Sequence, residues 1–435
     1  MTQTATQLKF DTEGFEAFVA GKVQPEWVVA ARRAAWDRFL ELDWPARREE
    51  EWIRSDLRLF NLDKYALTSE VSTPSDMAPL LNVGVDLGGY VHSIDSLTIA
   101  ESLDPELAAK GVLFGSPDRL FEEHAEVFKP LLFSAVDVNY DRFSALHAAF
   151  WNGGAVLYVP RGVVIEKPLH ISSFLSDGAA DLGHVLIVLE EGAEATVLQE
   201  NNSFDRKAGG MHCGAIELIQ RPGSHLRFVS LQDWGYKTFH FAHHQAIVDR
   251  DASLQWTISA MGAGFAKVNQ QVQLVGPGAN SQVNGVMFTE GRQHLAYHTL
   301  QHHSAPNCHS DFLYKSAQQD HSHTVWKGMI KVDKIAQKTD GYQRNDNLLL
   351  SNTARADSIP GLEIEADDVR CTHGSTTSQV DAEQIFYARC RGFTHKEAVR
   401  MIVTGFFQQI FDRISIESVR DALGTAIAKQ VRDYS

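Results

Sequence analysis

The chain has 435 residues, 44 % hydrophobic and 22 % charged, which predicts a globular protein with an ample core. Forty basic against 55 acidic residues give a formal charge of -15, an unfavourable balance for a general nucleic-acid or anionic-membrane binder. Length alone allows two or three domains, or one solenoid that absorbs most of the chain.

In chain order, Met1 to Phe10 is polar and Thr/Gln-rich, without the basic and apolar regions of a secretory signal or the arginines of a transit peptide. No apolar run approaches the ~20 residues of a membrane span. A cytoplasmic protein is expected. Residues 12–70 carry apolar positions at helical spacing, clearest from Trp27 to Trp36, and predict helices.

From Gly153 to about Ser351 the pattern changes. Short β-rich runs such as Val185–Leu189 and Leu226–Leu231 alternate with polar or Gly/Pro turns that lead into a mostly small residue. The aligned positions are 163, 193, 224, 252, 279, 308 and 336, separated by 30, 31, 28, 27, 29 and 28 residues. So steady a period marks one unit stacked repeatedly, and no helix of ten residues fits between the turns. A parallel β-solenoid is predicted, with a β-sandwich of irregular hairpins as the competing architecture. Helices at each end would cover the rungs that an open solenoid exposes. The expected division is a mostly helical 1–130, a β-helix core over 131–366 and a C-terminal helical domain over 367–435.

Seven histidines fall within 294–323: His294, His298, His302, His303, His309, His321 and His323. On a helix the four-residue spacing would gather zinc ligands. On strands it spreads them along one face, so stacked or solvated solenoid histidines are expected. Cys213, Cys308, Cys371 and Cys390 include no C-x2-C pair, so neither a disulfide framework nor a zinc ribbon is predicted. If rungs stack ~4.8 Å apart, Cys213 and Cys308 lie on the order of 15 Å apart and Cys371 two rungs further. One chain cannot bring its cysteines to one cluster. No Gly-x-Ser-x-Gly elbow and no phosphate-binding Gly-x4-Gly-Lys-Ser/Thr loop is present.

Where the β-pattern yields to helices, Cys371 and His373 stand two residues apart, on one face of an extended segment. A thiol and an imidazole side by side make half a metal site that a partner would complete; a packed structural cysteine beside a hydrogen-bonded histidine is the plainer reading. Beyond them, Asp381 to Gln384 and Thr394 to Glu397 fit capping boxes, and Ser415 fits the cap of a last helix. The Thr394 helix carries Val399, Met401, Val403, Phe406, Phe407 and Ile410, a wide apolar surface. It fits a second buried neighbour within the chain or a docked partner protein.

Linked motifs carry a family resemblance. Lys338-Thr339-Asp340, Tyr342-Gln343 and Asn347 to Ser351 precede Leu362-Glu363-Ile364 and Ala366 to Val369. Cys371-Thr372-His373-Gly374, Phe386 to Arg389 and Arg391-Gly392 follow, with Glu50-Glu51-Trp52 and Asp56-Leu57 near the start. Together they resemble the SufB/SufD family of iron–sulfur cluster assembly proteins, most closely SufD. Ser375-Thr376, where the family usually has Ala-Thr, and Ile53-Arg54-Ser55 depart from its pattern.

The resemblance implies a right-handed parallel β-helix between helical segments, in a non-catalytic scaffold subunit. It implies pairing with a SufB-like subunit and with a SufC-like ATPase, and a transient iron–sulfur cluster shared with SufB. His373 would be an interfacial iron ligand, and Cys371 an auxiliary thiolate activated by a metal or by Arg370. Phe386, Tyr387, Arg391, Val403, Phe406 and Phe407 would lie on the ATPase-docking helices. SufB-like chains carry a cysteine in the segment corresponding to Gln343-Arg344-Asn345, and this chain has none. Alone, the chain is expected to be able to pair with itself. A purely structural adaptor, a SufB-type scaffold and a carbohydrate-cleaving β-helix enzyme are the alternative readings.

Overall fold

In the computed structural model, which describes residues 7–68 and 77–431, from His184–Leu189 to the last strand consecutive strands go to opposite sheets and pair in parallel with the strand two places on. The result is a parallel β-solenoid of about eight turns, not a sandwich of hairpins. The first six residues of the polar leader, and residues 69–70 at the end of the predicted helical stretch, lie outside the described residues. One sheet begins at Gly89–Ile94 and ends at Val369–Gln379; the other begins its parallel run at Gly154–Val159 and ends at Arg355–Ile364.

The turn that sets the period has a simple backbone cause. Residues 162, 192, 223, 251, 278 and 307, each just before an aligned position, have φ between 57° and 77°. Glycine meets this left-handed demand without strain, and Asp251 and Asn307 are among the few other types that tolerate it. The following side chain then turns inward. Ala193, Ala252, Ala279 and Ala336 are fully buried there, because only a small group fits under the turn. Inside, Leu226, Phe228, Leu254 and Trp256 of one sheet pack against Val268, Val272, Leu274 and Tyr297 of the other.

The helices cover the solenoid's sides rather than both of its ends. Glu26–Glu41 and Arg142–Phe150 join an aromatic cluster with Phe241 and Phe265 on the outer face of one sheet. His395–Phe411 and Glu417–Gln430 bury Val403, Phe407, Ile410 and Leu423 against Leu231, Phe288 and Leu313 on the other. The N-terminal end finishes instead in antiparallel strands, Leu97–Leu103 and Leu113–Gly115. Nothing among the described residues pairs with the outer edges of Arg355–Ile364 and Val369–Gln379.

The segment boundaries also differ. Apart from the short antiparallel pair Gln7–Lys9 and Ala66–Thr68, strands begin at residue 89, inside the stretch read as mostly helical, and the last runs to residue 379, inside the stretch read as helical domain. Within 12–70 the α-helices stop at Glu41, and a turn-rich segment with Pro45 and a single 3-10 turn, Leu62–Lys64, follows. Thr394 forms the predicted capping box with Glu397, whereas Asp381 accepts only the Glu383 N–H. The last helix starts at Glu417 after Ile416, so Ser415 does not cap it.

Buried carboxylates fasten the N-terminal loops to the rungs. Glu217 accepts the N–H groups of Phe133, Ala135 and Val136 at 2.7, 2.8 and 2.8 Å. Glu200 accepts those of Leu80 and Leu81, and Asp181 that of Ser96. Glu217→Ala strands one buried and two part-buried donors and should lower unfolding free energy by roughly 3–5 kcal/mol in urea titrations.

Buried histidines add a pH dependence. Burial pushes the His147 and His240 imidazoles well down, that of His244 to about 3 and that of His303 to about 4. Folded, they stay neutral where the unfolded chain, with histidines near ~6.5, takes up protons. Stability should therefore be full above pH ~6.5. Below it, each should cost up to ~1.4 kcal/mol per pH unit, read as a falling denaturation midpoint.

Candidate functional site at the open end of the solenoid

Register explains why Cys371 and His373 stand where they do. In one sheet Val197, Phe228, Trp256, Val283, Phe312, Gln343 and His373 are successive partners in one column. All but His373 are buried. The neighbouring column runs Leu226, Leu254, Ser281, Ser310, Gly341, Cys371. Both residues thus occupy interior positions of a rung that has no successor in this chain. Along both columns the interior turns from apolar to polar as it nears the open end.

The two side chains are not equally exposed. Cys371 is partly buried against Ile330, Val332 and Ala366, and opposite it Gly341 presents no side chain. His373 is exposed, and its imidazole has no hydrogen-bond partner among the described residues. Its register neighbour Gln343 is buried, and its Nε2 donates to the carbonyls of Gly328 and Gly361 at 3.4 and 3.0 Å. Residues two apart on a strand are separated by ~6.6 Å, so the pair offers a thiol and an imidazole without closing a site. Among the described residues, no group of three or more His, Cys, Asp or Glu side chains has the arrangement of a metal site.

Burial, with the Asp340 charge adding to it, pushes the Cys371 thiol up. Arg370 does not counter this: its guanidinium is 82 % exposed and turns toward Asp340, 3.9 Å away. The expected activation of the thiol by Arg370 is therefore absent from this arrangement. The edges beside the pair are chemically unlike. Val369–Gln379 contains no proline, whereas Arg355–Ile364 carries Pro360, which has no N–H to give a further strand.

The helices after residue 381 separate the other predicted residues into two sets. Phe386 and Tyr387 are 69 % and 61 % exposed on the Ala382–Cys390 helix, and Arg391 lies 4.9 Å over the Tyr387 ring. With Met401 and Ile402 the two aromatics line an open groove of about 710 Å³. Val403 and Phe407 are fully buried beneath the Glu417–Gln430 helix and against the sheet, so they are not available to a partner. Phe406 is half-covered by Lys315, whose Nζ donates to its carbonyl. The wide apolar surface of this helix is mostly internal.

Comparison with known proteins fits this geometry. Residues 173–406 match the family model described as the SufBD core domain of SUF-system FeS cluster assembly, and 17–171 match the SufBD N-terminal region. The chain belongs to the SufBD family. An iron–sulfur cluster assembly SufBD family protein of Mycobacterium tuberculosis is 33 % identical over 352 residues, 79 % of this chain and 84 % of the relative. One from Mycobacterium leprae is 34 % identical over 300 residues, covering 67 % and 75 %. One from Staphylococcus saprophyticus is 25 % identical over 412 residues, covering 91 % and 88 %.

The core match ends at residue 406 and so includes both columns, the Cys371/His373 rung and the Phe386/Tyr387 groove. No helix among the described residues is long and apolar enough to cross a membrane.

Thiol reactivity reads this arrangement directly. Burial holds the Cys213 and Cys308 thiols up as well, and exposed Cys390 stands apart from the other three. With iodoacetamide, Cys390 should label first and Cys371 slowly, at a rate that climbs with pH. Cys213 and Cys308 should label only on unfolding. Site-resolved mass spectrometry would show the order, and Cys371 labelling as fast as Cys390 at neutral pH would contradict it.

Proposed function

We propose that this chain is a SufD-like, non-catalytic scaffold subunit of a cytoplasmic iron–sulfur cluster assembly complex. The carrying observation is the open rung, where two interior positions hold a thiol and an imidazole instead of apolar side chains. A SufB-type β-helix seated on the two free edges would supply the missing rung and convert His373 and Cys371 into interior groups. His373 then lends a neutral imidazole nitrogen to iron, and Cys371 lends an auxiliary thiolate once a metal has drawn off its proton. The cluster is cargo, shared across the interface and passed on. The absence of cysteine in Gln343-Arg344-Asn345 supports the SufD-like assignment over a SufB-type one.

The exposed Phe386, Tyr387 and Arg391 groove is the surface we assign to a SufC-like ATPase. An aromatic pair beside an arginine has the composition of a docking hot spot. Without a phosphate-binding loop of its own, the chain would take its ATP-driven movement from that subunit.

Anaerobic co-expression of the tagged chain with its SufB-type and SufC-type partners tests both assignments. Both subunits should co-purify with iron and sulfide. His373→Ala should keep the subunits and lose most of the iron and sulfide, whereas Tyr387→Ala should weaken capture of the ATPase alone. Undiminished cluster content in His373→Ala would leave the chain a structural adaptor. Recovery of neither partner would overturn the proposal.

A further inference from the structure

Beside the open end but outside the solenoid interior, the stacking period brings two histidines together on the outer face of the other sheet. His294 and His323 are direct register partners on adjacent strands, and their Nδ1 atoms face each other at 3.1 Å. Each ring's other nitrogen is engaged. His323 Nε2 lies 3.2 Å from Asp357 Oδ2, and His294 Nε2 lies 3.3 Å from Ser55 Oγ. The pair borders a groove of about 660 Å³ whose wall includes Phe239, Phe265 and Gln293. Phe265 stacks on the His294 ring, with centroids 5.3 Å apart.

These contacts define the protonation pattern. The carboxylate of Asp357 is an acceptor, so His323 donates from Nε2 and its Nδ1 keeps a lone pair. His294 donates its Nδ1 proton to that lone pair, and its Nε2 accepts the Ser55 hydroxyl. A single proton therefore sits between two imidazole nitrogens that are open to a groove on one side. Zinc-class ions lie ~2.0–2.1 Å from imidazole nitrogen, so two nitrogens on one ion are roughly 2.9–3.4 Å apart for angles between right and tetrahedral. The observed separation falls within that range.

We propose that His294 and His323 form a two-imidazole site for a borderline divalent transition metal, with the remaining coordination positions open to the groove. On binding, the shared proton leaves Nδ1 and His294 takes one up at Nε2, so that it donates to Ser55 Oγ; no net proton is released. Asp357, itself gripped by Arg355 at 2.9 Å and approached by Arg54 at 3.7 Å, orients the His323 ring as carboxylates behind metal-bound histidines do. The two facing donors are nitrogens, so magnesium and calcium, which need oxygen ligands, are poorly served, while imidazole suits cobalt, nickel, copper and zinc. The inference is independent of the assembly role proposed above.

The test is Co2+ titration of the metal-free full chain, carrying no histidine tag, followed by visible ligand-field absorption. One equivalent should bind, be displaced by Zn2+ and be unaffected by excess Mg2+. His294→Gln and His323→Gln should each abolish the bands, and Asp357→Asn should weaken binding by about tenfold. His225→Gln, at an exposed histidine on the other sheet, should leave them unchanged. Absence of the bands, their survival in either glutamine variant or their loss in His225→Gln would overturn the proposal. If a glutamine variant fails to fold, Cu2+ electron paramagnetic resonance of the native chain decides. Two coupled imidazole nitrogens support the site; one or none overturns it.

Discussion

Everything in this molecule rests on the in-register parallel ladder between successive rungs. Each strand borrows its hydrogen-bond partners from the strand one turn earlier and lends its own to the next, so identical chemistry recurs in columns. The column rule makes an apolar interior from short, unremarkable runs, and it makes the helices wrappers rather than organisers. A ladder of this kind has no natural last member. The unsatisfied edge is a property of the architecture, and what the chain does at that edge is the functional question.

The two ends answer it differently. At the first end the chain folds back antiparallel, so that its outermost strands no longer present the parallel rung. At the last it leaves both edges free, and it changes the interior from Trp256 and Phe312 to Gln343 and His373 along a single column. Polar groups in such positions are poorly compatible with a dry, sealed core. They fit an interior that is completed from outside. Metal-capable imidazoles elsewhere arise by the same repetition: a histidine one period after another places two rings in contact across strands.

Much of this was legible in the residues. The spacing of small side chains after Gly192, Asp251, Gly278 and Asn307 revealed the rung, because a left-handed backbone and an inward small residue recur together. Cys371 and His373 were legible as a same-face pair for the same geometric reason. The destination of the apolar helix was not. Val403, Phe406 and Phe407 share a helical surface whose partner is the sheet face, and periodicity within one helix does not name what covers it. Arg370 was misread because adjacency in sequence put it beside the thiol, whereas strand alternation turns it away. The His294 and His323 contact carried a signal, the 29-residue separation, that matters only once the register is known.

The two ends differ in the template that they offer. A rod with the same parallel ladder at both ends can add subunits indefinitely, and open ladders of this kind are the germ of fibrous polymers. Among the described residues this rod presents its parallel rung at one end, while the strands at the other run antiparallel to it. A solenoid that continues the parallel register finds its match at the last rung alone. Pro360 restricts that match further by removing one donor from the free edge, so a casual strand finds an interrupted template there.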